Sequence, residues 1–442
     1  MRTTITPTVM TDQSRRDFLS TLGGAALAAP FVGVNIPDSS RAVGDERRVV
    51  SEPVAAPRGV IVRTLTAGVV LDRLPNPRPV TRALALLARA KRRFQREGYE
   101  VQTTRITLPP LVAGMTTVQR RAAFDEVRAI DARCAAAGVM LGLGPVLTVD
   151  RPDNELAAWA AELVLATKAT SFSAVIASPE RGIHQRGVPV AAAMMRAVAD
   201  ARPDGMGSFQ FAAAANVPAG TPFFPVGWHA GPNALAVGLQ SPGIVRAAFT
   251  GAGDRDDARR RLAARLATEL REVERIAADV ARREGVRYGG IDSSPAPLGD
   301  DSIAAAIEAL TGAPFGEAAT LQACAMITDE IKRVPVKLCG YSGLMLPVLE
   351  DRVLARRARE GHFGMRDLLL FSSVCGTGLD VIPLPGDTPQ ATIERVLLDV
   401  SAQATKLGKA LSARLFLVPG KRAGDVVRFD DPRLFETAVM KA

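Results

Sequence analysis

Val139-Met-Leu-Gly-Leu-Gly144 and Ser171-Phe-Ser-Ala-Val-Ile-Ala177 are short apolar runs separated by a helical stretch, residues 154–167. Runs of this length without a polar face belong to strands covered on both sides, the condition of a parallel sheet flanked by helices. The same alternation extends upstream. Gly59-Val-Ile-Val-Arg-Thr-Leu65 and residues 100–107 are β-branched runs around a helical segment, 83–97, and a second helical pattern covers 118–137. Downstream, helical patterns at 190–201, 254–284, 301–311, 318–333, 351–360 and 389–408 alternate with strand-like runs at 208–213, 236–239, 288–292, 336–339 and 412–418. No linker interrupts the alternation after about residue 60, so the pattern predicts one large α/β domain over 58–442.

The chain has 442 residues, a formal net charge of +9 and only 5% aromatic residues. That length buries a core without disulfide or metal staples. So few aromatics argue against a stacking surface for single-stranded nucleic acid. The basic excess is interleaved with acids on helix faces, as in Arg259-Arg-Arg-Leu-Ala-Ala-Arg265 ahead of Glu269, Glu272 and Glu274, and no nucleic-acid motif accompanies it. A nucleic-acid partner is therefore not expected.

The first 33 residues have the pattern of a twin-arginine export signal. Ser14-Arg15-Arg16-Asp17-Phe18-Leu19 precedes the small-residue apolar stretch Leu22 to Gly33, with a cleavage triplet at Ala26-Leu27-Ala28. The expected partner is the twin-arginine translocation machinery, the expected location is outside the cytoplasm, and membrane contact is confined to the signal. Residues 34–57, rich in proline, serine and charge, are expected to be a tether. The four cysteines, Cys134, Cys324, Cys339 and Cys375, form no C-x-x-C pair, which argues against a redox or zinc-ribbon motif.

Four loops have the composition of a site. Phe223-Phe-Pro-Val-Gly-Trp-His-Ala-Gly-Pro232 carries one of three histidines; His229 suits proton transfer because its intrinsic pKa lies near neutrality, or it bonds the loop backbone. Gly289-Gly-Ile-Asp-Ser-Ser-Pro-Ala-Pro297 places Asp292 and Ser293 at the end of a strand, where α/β folds collect ligands. Asp292 is a base, a metal ligand, a hydroxyl acceptor or the anchor of an Asx turn. Cys339-Gly-Tyr-Ser-Gly-Leu-Met-Leu-Pro-Val-Leu-Glu-Asp351 offers Tyr341 and Ser342, but G-Y-S-G is not the G-x-S-x-G elbow of a serine hydrolase. Ser372-Ser-Val-Cys-Gly-Thr-Gly-Leu-Asp-Val-Ile-Pro-Leu-Pro-Gly-Asp387 offers Cys375, Thr377 and Asp380, with Cys375 either a nucleophile or a packed, inert thiol.

These four motifs occur in order, together with Val101-Gln-Thr-Thr-Arg105 and the tail Val418-Pro-Gly-Lys-Arg-Ala-Gly-Asp425. In this respect the chain closely resembles domain-of-unknown-function family 711, a bacterial and archaeal group, from about residue 58 to the end. The resemblance implies a fold like the ten-stranded pyruvate formate-lyase-like α/β barrel, with a hairpin threaded through its lumen and Cys375 on that hairpin. It does not imply glycyl-radical chemistry, because the tail Phe429-Asp-Asp-Pro-Arg-Leu-Phe435 lacks a glycyl-radical segment. The export leader departs from the family.

The expected function is an enzyme acting on a small anionic metabolite in the lumen. His229 and Asp292 would transfer protons and Cys375 would act as nucleophile or wall. Arg63 and Arg105 would clamp a carboxylate or phosphate. A non-catalytic small-molecule-binding protein, and a metal-dependent hydrolase or lyase using His229, Asp292 and Asp380, are the alternatives. No resident metal and no cofactor is assigned, and the oligomeric state stays open. The four loops are predicted to converge on one cavity.

Overall fold

The computed structural model describes residues 59–74 and 76–442; the expected leader (1–33) and tether (34–57) lie outside them. The chain runs β1 (Ile61–Gly68), α1 (Pro77–Arg96), β2 (Val101–Thr107), α2 (Thr117–Ala122), α3 (Phe124–Ala136), β3 (Met140–Leu147), α4 (Leu156–Ala166) and β4 (Thr170–Ser178). It continues through β5 (Gly182–Ile183), α5 (Gly187–Asp200), β6 (Phe211–Ala215), β7 (Ala234–Gln240), α6 (Pro242–Phe249), α7 (Arg255–Arg283) and β8 (Arg287–Asp292). After these come α8 (Ile303–Thr311), α9 (Thr320–Lys332), α10 (Arg352–Arg359), α11 (Met365–Ser372), β9 (Gly378–Pro385), α12 (Gln390–Leu407) and β10 (Leu411–Val418), with a small ribbon of β11 (Val426–Val427) and β12 (Thr437–Ala438). Among the described residues no helix is long and apolar enough to cross a membrane.

Ten strands form one mixed sheet. Nine lie in the order β8-β7-β1-β2-β3-β4-β6-β10-β9, and β5 pairs with β4. Neighbours are parallel except at β1–β7, β6–β10 and β4–β5. The two faces differ in chemistry as the period-2 pleat requires. Leu65, Ile106, Leu141, Phe172, Ala213, Leu235 and Leu411 belong to the large apolar cluster shared with the helices, including Leu87 of α1 and Leu262, Leu266 and Leu270 of α7. Between them on β1, β2, β6 and β10 stand Thr64, Thr66, Arg105, Thr107, Ala212, Ala214, Ser412 and Arg414, all buried. This inner face is small and polar because a second layer of chain packs inside it. Phe223, Val226, Tyr341 and Met345, from the 216–233 and 339–350 segments, cluster with Ala212 and Ala214.

The sheet curls, and single side chains span its interior. Glu350 bonds Arg63 of β1 at 3.3 Å and Arg414 of β10 at 3.0 Å. Tyr341 links Asp292 of β8, through its backbone amide, to Ser412 of β10, through its hydroxyl. The edges do not pair strand to strand, so the architecture is barrel-like but unclosed. The 338–347 segment lies between them, Leu338 bridging Ile291 of β8 and Pro347 bridging Asp380 of β9. Residues 336–339, expected to be a strand, are therefore only a bridged turn at the edge. The cause is local: Gly340 (φ 61°) and Ser342 (φ 41°) adopt left-handed conformations that end any extended run.

One carboxylate fixes the far end of this segment. Asp351 Oδ1 accepts the Val353 and Leu354 amides at 2.9 and 3.1 Å, capping α10, and its Oδ2 accepts the Ile303 amide of α8 at 2.8 Å. Such caps stabilise a helix by about 1 kcal/mol each. Asp351 opens the helix that follows, as its position in the sequence predicts. Its neighbour Glu350 instead turns into the lumen.

Candidate functional site

A cavity of about 360 Å³ opens where β1 and β2 end and β7 and β8 begin. Thr66, Gly68 and Thr107 form its floor, His229 one wall, and Cys339 and Gly340 another, with Arg287 and Lys337 at its exposed rim. The Pro-Gly composition of 222–232 turns the chain back over the strand ends. Its backbone is tied to the sheet by the His229 amide, which donates to the Leu108 carbonyl at 3.0 Å.

The His229 ring is fixed in one tautomer. Its Nε2 lies 3.2 Å from the Gly231 carbonyl oxygen and 2.9 Å from that of Pro232. Carbonyls only accept, so Nε2 carries the proton and Nδ1 the lone pair. Nδ1 has no hydrogen-bond partner among the described residues, and the ring lines the cavity. Burial lowers its pKa, against the pull of the two carbonyls, so the ring is neutral at pH 7. Gly68 makes room for it: a β-carbon there would stand 2.1 Å from Nδ1.

Asp292 lies behind this cavity, fully buried. Oδ1 accepts the Ser294 hydroxyl at 2.5 Å and the Ser294 and Ser342 amides at 3.1 and 3.0 Å, while Oδ2 accepts the Tyr341 amide at 2.8 Å. Desolvation outweighs these donors and pushes its carboxyl up to about 6. Two of these four donors, the Ser294 amide and hydroxyl, close an Asx turn and the other two, the Tyr341 and Ser342 amides, shape the Cys339–Ser342 turn, so the Asx-turn reading describes part of what Asp292 does here. Ser293 and Ser342 are likewise spent on the protein's own backbone: Ser293 Oγ donates to the Ile331 carbonyl of α9, and Ser342 Oγ to that of Cys339 within the turn, both at 2.9 Å.

The cysteine on the cavity wall is Cys339, not Cys375. Cys339 is half-buried; desolvation, then the nearby Asp292 charge, raises its thiol well above the ordinary range. Cys375 packs in the apolar layer outside the sheet together with Cys324, so the expectation that it sits on a luminal hairpin is corrected. The reason is that Ser372 still belongs to α11 and the Cys375 amide continues its ladder by donating to the Phe371 carbonyl at 2.8 Å, which holds the thiol on the helix side. The next residue, Gly376, does reach the interior. It crosses Gly343 so closely that a β-carbon on either would lie 2.2 Å from the other's Cα.

The fourth loop thus lines a neighbouring cavity of about 230 Å³, together with Asn216, Tyr341, Lys332 and Lys409. The two cavities share Pro218 and Gly340 as a partition. Lys409 is spent on α11, donating to the Ser372, Ser373 and Cys375 carbonyls. Thr377 and Tyr341 meet at Ser412: the Tyr341 hydroxyl donates to Ser412 Oγ at 2.8 Å, which donates to the Thr377 carbonyl at 3.1 Å. The four loops therefore divide between two adjoining cavities, the first three on one and the last two on the other.

Arg63, Arg105 and Asp380 lie apart from both, in the lumen. Arg63 is the extra residue of a β-bulge between the Val62 and Thr64 pairings with β7, which turns it inward to Gln102 (3.0 Å) and Glu350. Asp380 accepts from Arg414 Nε at 2.7 Å. Arg414, Glu350, Cys339 and Lys337 were not selected from the sequence. A charged residue inside the apolar run Leu411–Val418 was the available signal for Arg414. Among the described residues no group of three or more His, Cys, Asp or Glu could hold a metal ion. His229, Asp292 and Asp380 do not assemble.

The family model described as "Uncharacterised ACR (DUF711)" matches residues 58–430. A UPF0210 protein of Desulforudis audaxviator is 30% identical over 403 residues, 83% of this chain and 88% of that protein. One from Pyrobaculum islandicum is 31% identical over 350 residues, 75% and 76% of the two chains. Another, from Pelotomaculum thermopropionicum, is 28% identical over 399 residues, 83% and 88%. The family match covers every loop that builds the two cavities, and the chain belongs to the DUF711 family.

Proposed function

We propose that the chain is an enzyme that takes a small anionic molecule into the His229 cavity and removes a proton from it. The observation that carries this is the His229 tautomer. Its proton is committed to two backbone carbonyls, its ring lines the cavity with Nδ1 beside Gly68, and burial lowers its pKa below the ordinary histidine value. The cavity volume of about 360 Å³ suits a metabolite rather than a polymer segment. Arg287 and Lys337 at the rim supply the charge that would draw an anion in. Thr107 on the floor offers a hydroxyl to orient it, whereas the Thr66 hydroxyl donates to the Pro222 carbonyl. Asp292 acts through the turn it holds and is a positioning residue. The twin-arginine pattern at Ser14–Leu19 supports a role outside the cytoplasm.

The test is a thermal-shift screen of small carboxylates and phosphate esters on wild type and His229→Gln, followed by product analysis on each stabilising compound. A compound that stabilises both proteins and is converted only by wild type supports the enzyme. Stabilisers that neither protein converts would replace it with a binding protein.

A further inference from the structure

We infer that the lumen holds a second site, for a small oxyanion of the carboxylate class, built by Arg105 and Arg414. It lies below the His229 cavity and does not depend on that cavity's chemistry. Thr66, on the cavity floor, and Arg105 are register neighbours on β1 and β2. The Pro222 carbonyl separates them, accepting from Thr66 Oγ1 at 3.0 Å and from Arg105 Nη1 at 3.5 Å.

Arg105 is 5% exposed, and no carboxylate among the described residues lies within ion-pair distance of it. Its protein contacts are that one long bond to Pro222 and the faces of Phe223 and Phe224, at 5.9 and 5.3 Å. Its Nε has no partner. Arg414, 3% exposed, has two carboxylates, Asp380 and Glu350, yet its Nη1 also has no partner. Both guanidinium groups lie 5.3 Å from the centre of the same ring, Phe224, and the Arg414 charge is among those that act on Arg105, so the two side chains share one neighbourhood.

The charges do not cancel. Arg63, Arg105 and Arg414 stand against Glu350 and Asp380, and Arg433 is matched by Asp431. One positive charge is left over in a region from which water is largely excluded, and the surrounding arginines add to desolvation in lowering the Arg105 pKa. Buried guanidinium groups in proteins are normally paired and fully hydrogen-bonded. A bound monoanion with two acceptor oxygens corrects both the charge and the orphan donors, and guanidinium groups recognise planar oxyanions by that geometry. The cluster reaches the surface through Phe209, which stacks Arg414 and the half-exposed Arg433 at 5.1 Å each.

The experiment is thermal unfolding of the full chain in sodium formate, acetate or bicarbonate against sodium chloride at matched ionic strength. Saturable stabilisation by at least one carboxylate-class anion is expected, a rise of about 2 °C at ten times its Kd. Arg105→Met should lose the response, whereas His229→Gln should keep it, which separates this site from the cavity above. No anion-specific rise in wild type overturns the proposal whether or not the Arg105 variant folds. So does an equal response to chloride, a response retained in Arg105→Met, or one abolished in His229→Gln.

Discussion

Asp292 and Tyr341 stand 49 residues apart in the chain, and Asp292 Oδ2 accepts the Tyr341 amide at 2.8 Å. The same carboxylate takes the amide of Ser342, so the last residue of β8 dictates the turn that separates the two cavities. This makes Asp292 the joint between sheet and site.

Asp292→Asn should therefore loosen the turn without altering the cavity's chemistry directly. The amide keeps one accepting oxygen but turns an N–H toward another N–H. A buried donor left without an acceptor costs about 1–3 kcal/mol. The expected result is a loss of that size in urea unfolding at pH 7.5, with faster iodoacetamide labelling of Cys339 in the native protein. Unchanged stability and unchanged labelling would mean that the turn holds without its carboxylate.

The pH dependence of stability should carry a His229 component. Burial lowers the pKa of its folded form below the ordinary histidine value of about 6.5, so the unfolded chain takes up a proton that the folded chain resists. The folded state then loses stability as pH falls through 6.5 and below. His184, buried and shifted in the same direction, adds a similar slope. His229→Gln should reduce the loss in urea midpoint between pH 7.5 and 5.5 and leave the His184 share. An identical slope in both proteins would show that the His229 imidazole already charges freely when folded.

The layered α/β architecture was legible from apolar runs of strand length, because helices cover one face of every strand. The sequence leaves His229 open between proton transfer and bonding its own loop, and its Nε2 does bond the Gly231 and Pro232 carbonyls. The direction of the arginines was not legible. Arg63 faces the lumen because of a bulge, and the extra residue next to Asp380, Val381, adopts φ 47°, neither of which shows in a strand's composition. The choice between Cys339 and Cys375 was equally hidden. Both precede glycine in similar loops, and only the continuation of α11 to Cys375 decides which thiol faces the helices.

Thiol labelling checks that assignment. Cys134, Cys324 and Cys375 are buried and Cys339 is half-buried. The native protein should therefore react at one cysteine only. The reaction should be slow at pH 8, because Cys339 has its thiolate disfavoured by burial and by Asp292. All four should react at once in denaturant. Mass spectrometry of tryptic peptides identifies the site, and native labelling at Cys375 before Cys339 would contradict the placement of both loops.

Gly68→Ala tests the cavity at its tightest point. Gly68 has ordinary extended backbone, so the substitution introduces no conformational strain of its own. Its effect is purely steric: the new methyl group would stand 2.1 Å from His229 Nδ1 and 2.6 Å from Cε1. The ring cannot retreat without breaking its Nε2 bonds to Gly231 and Pro232. The variant should lose about 1–3 kcal/mol of stability, the usual cost of overpacking. It should also lose any ligand stabilisation that wild type shows through the His229 cavity. The carboxylate-class anion response assigned to Arg105 should survive, because Gly68 lies at the end of β1 two residues beyond Thr66, the register neighbour of Arg105. A Gly68→Ala protein with wild-type stability and wild-type ligand response would show that the imidazole is not held against the strand end, and the locked tautomer would fall with it.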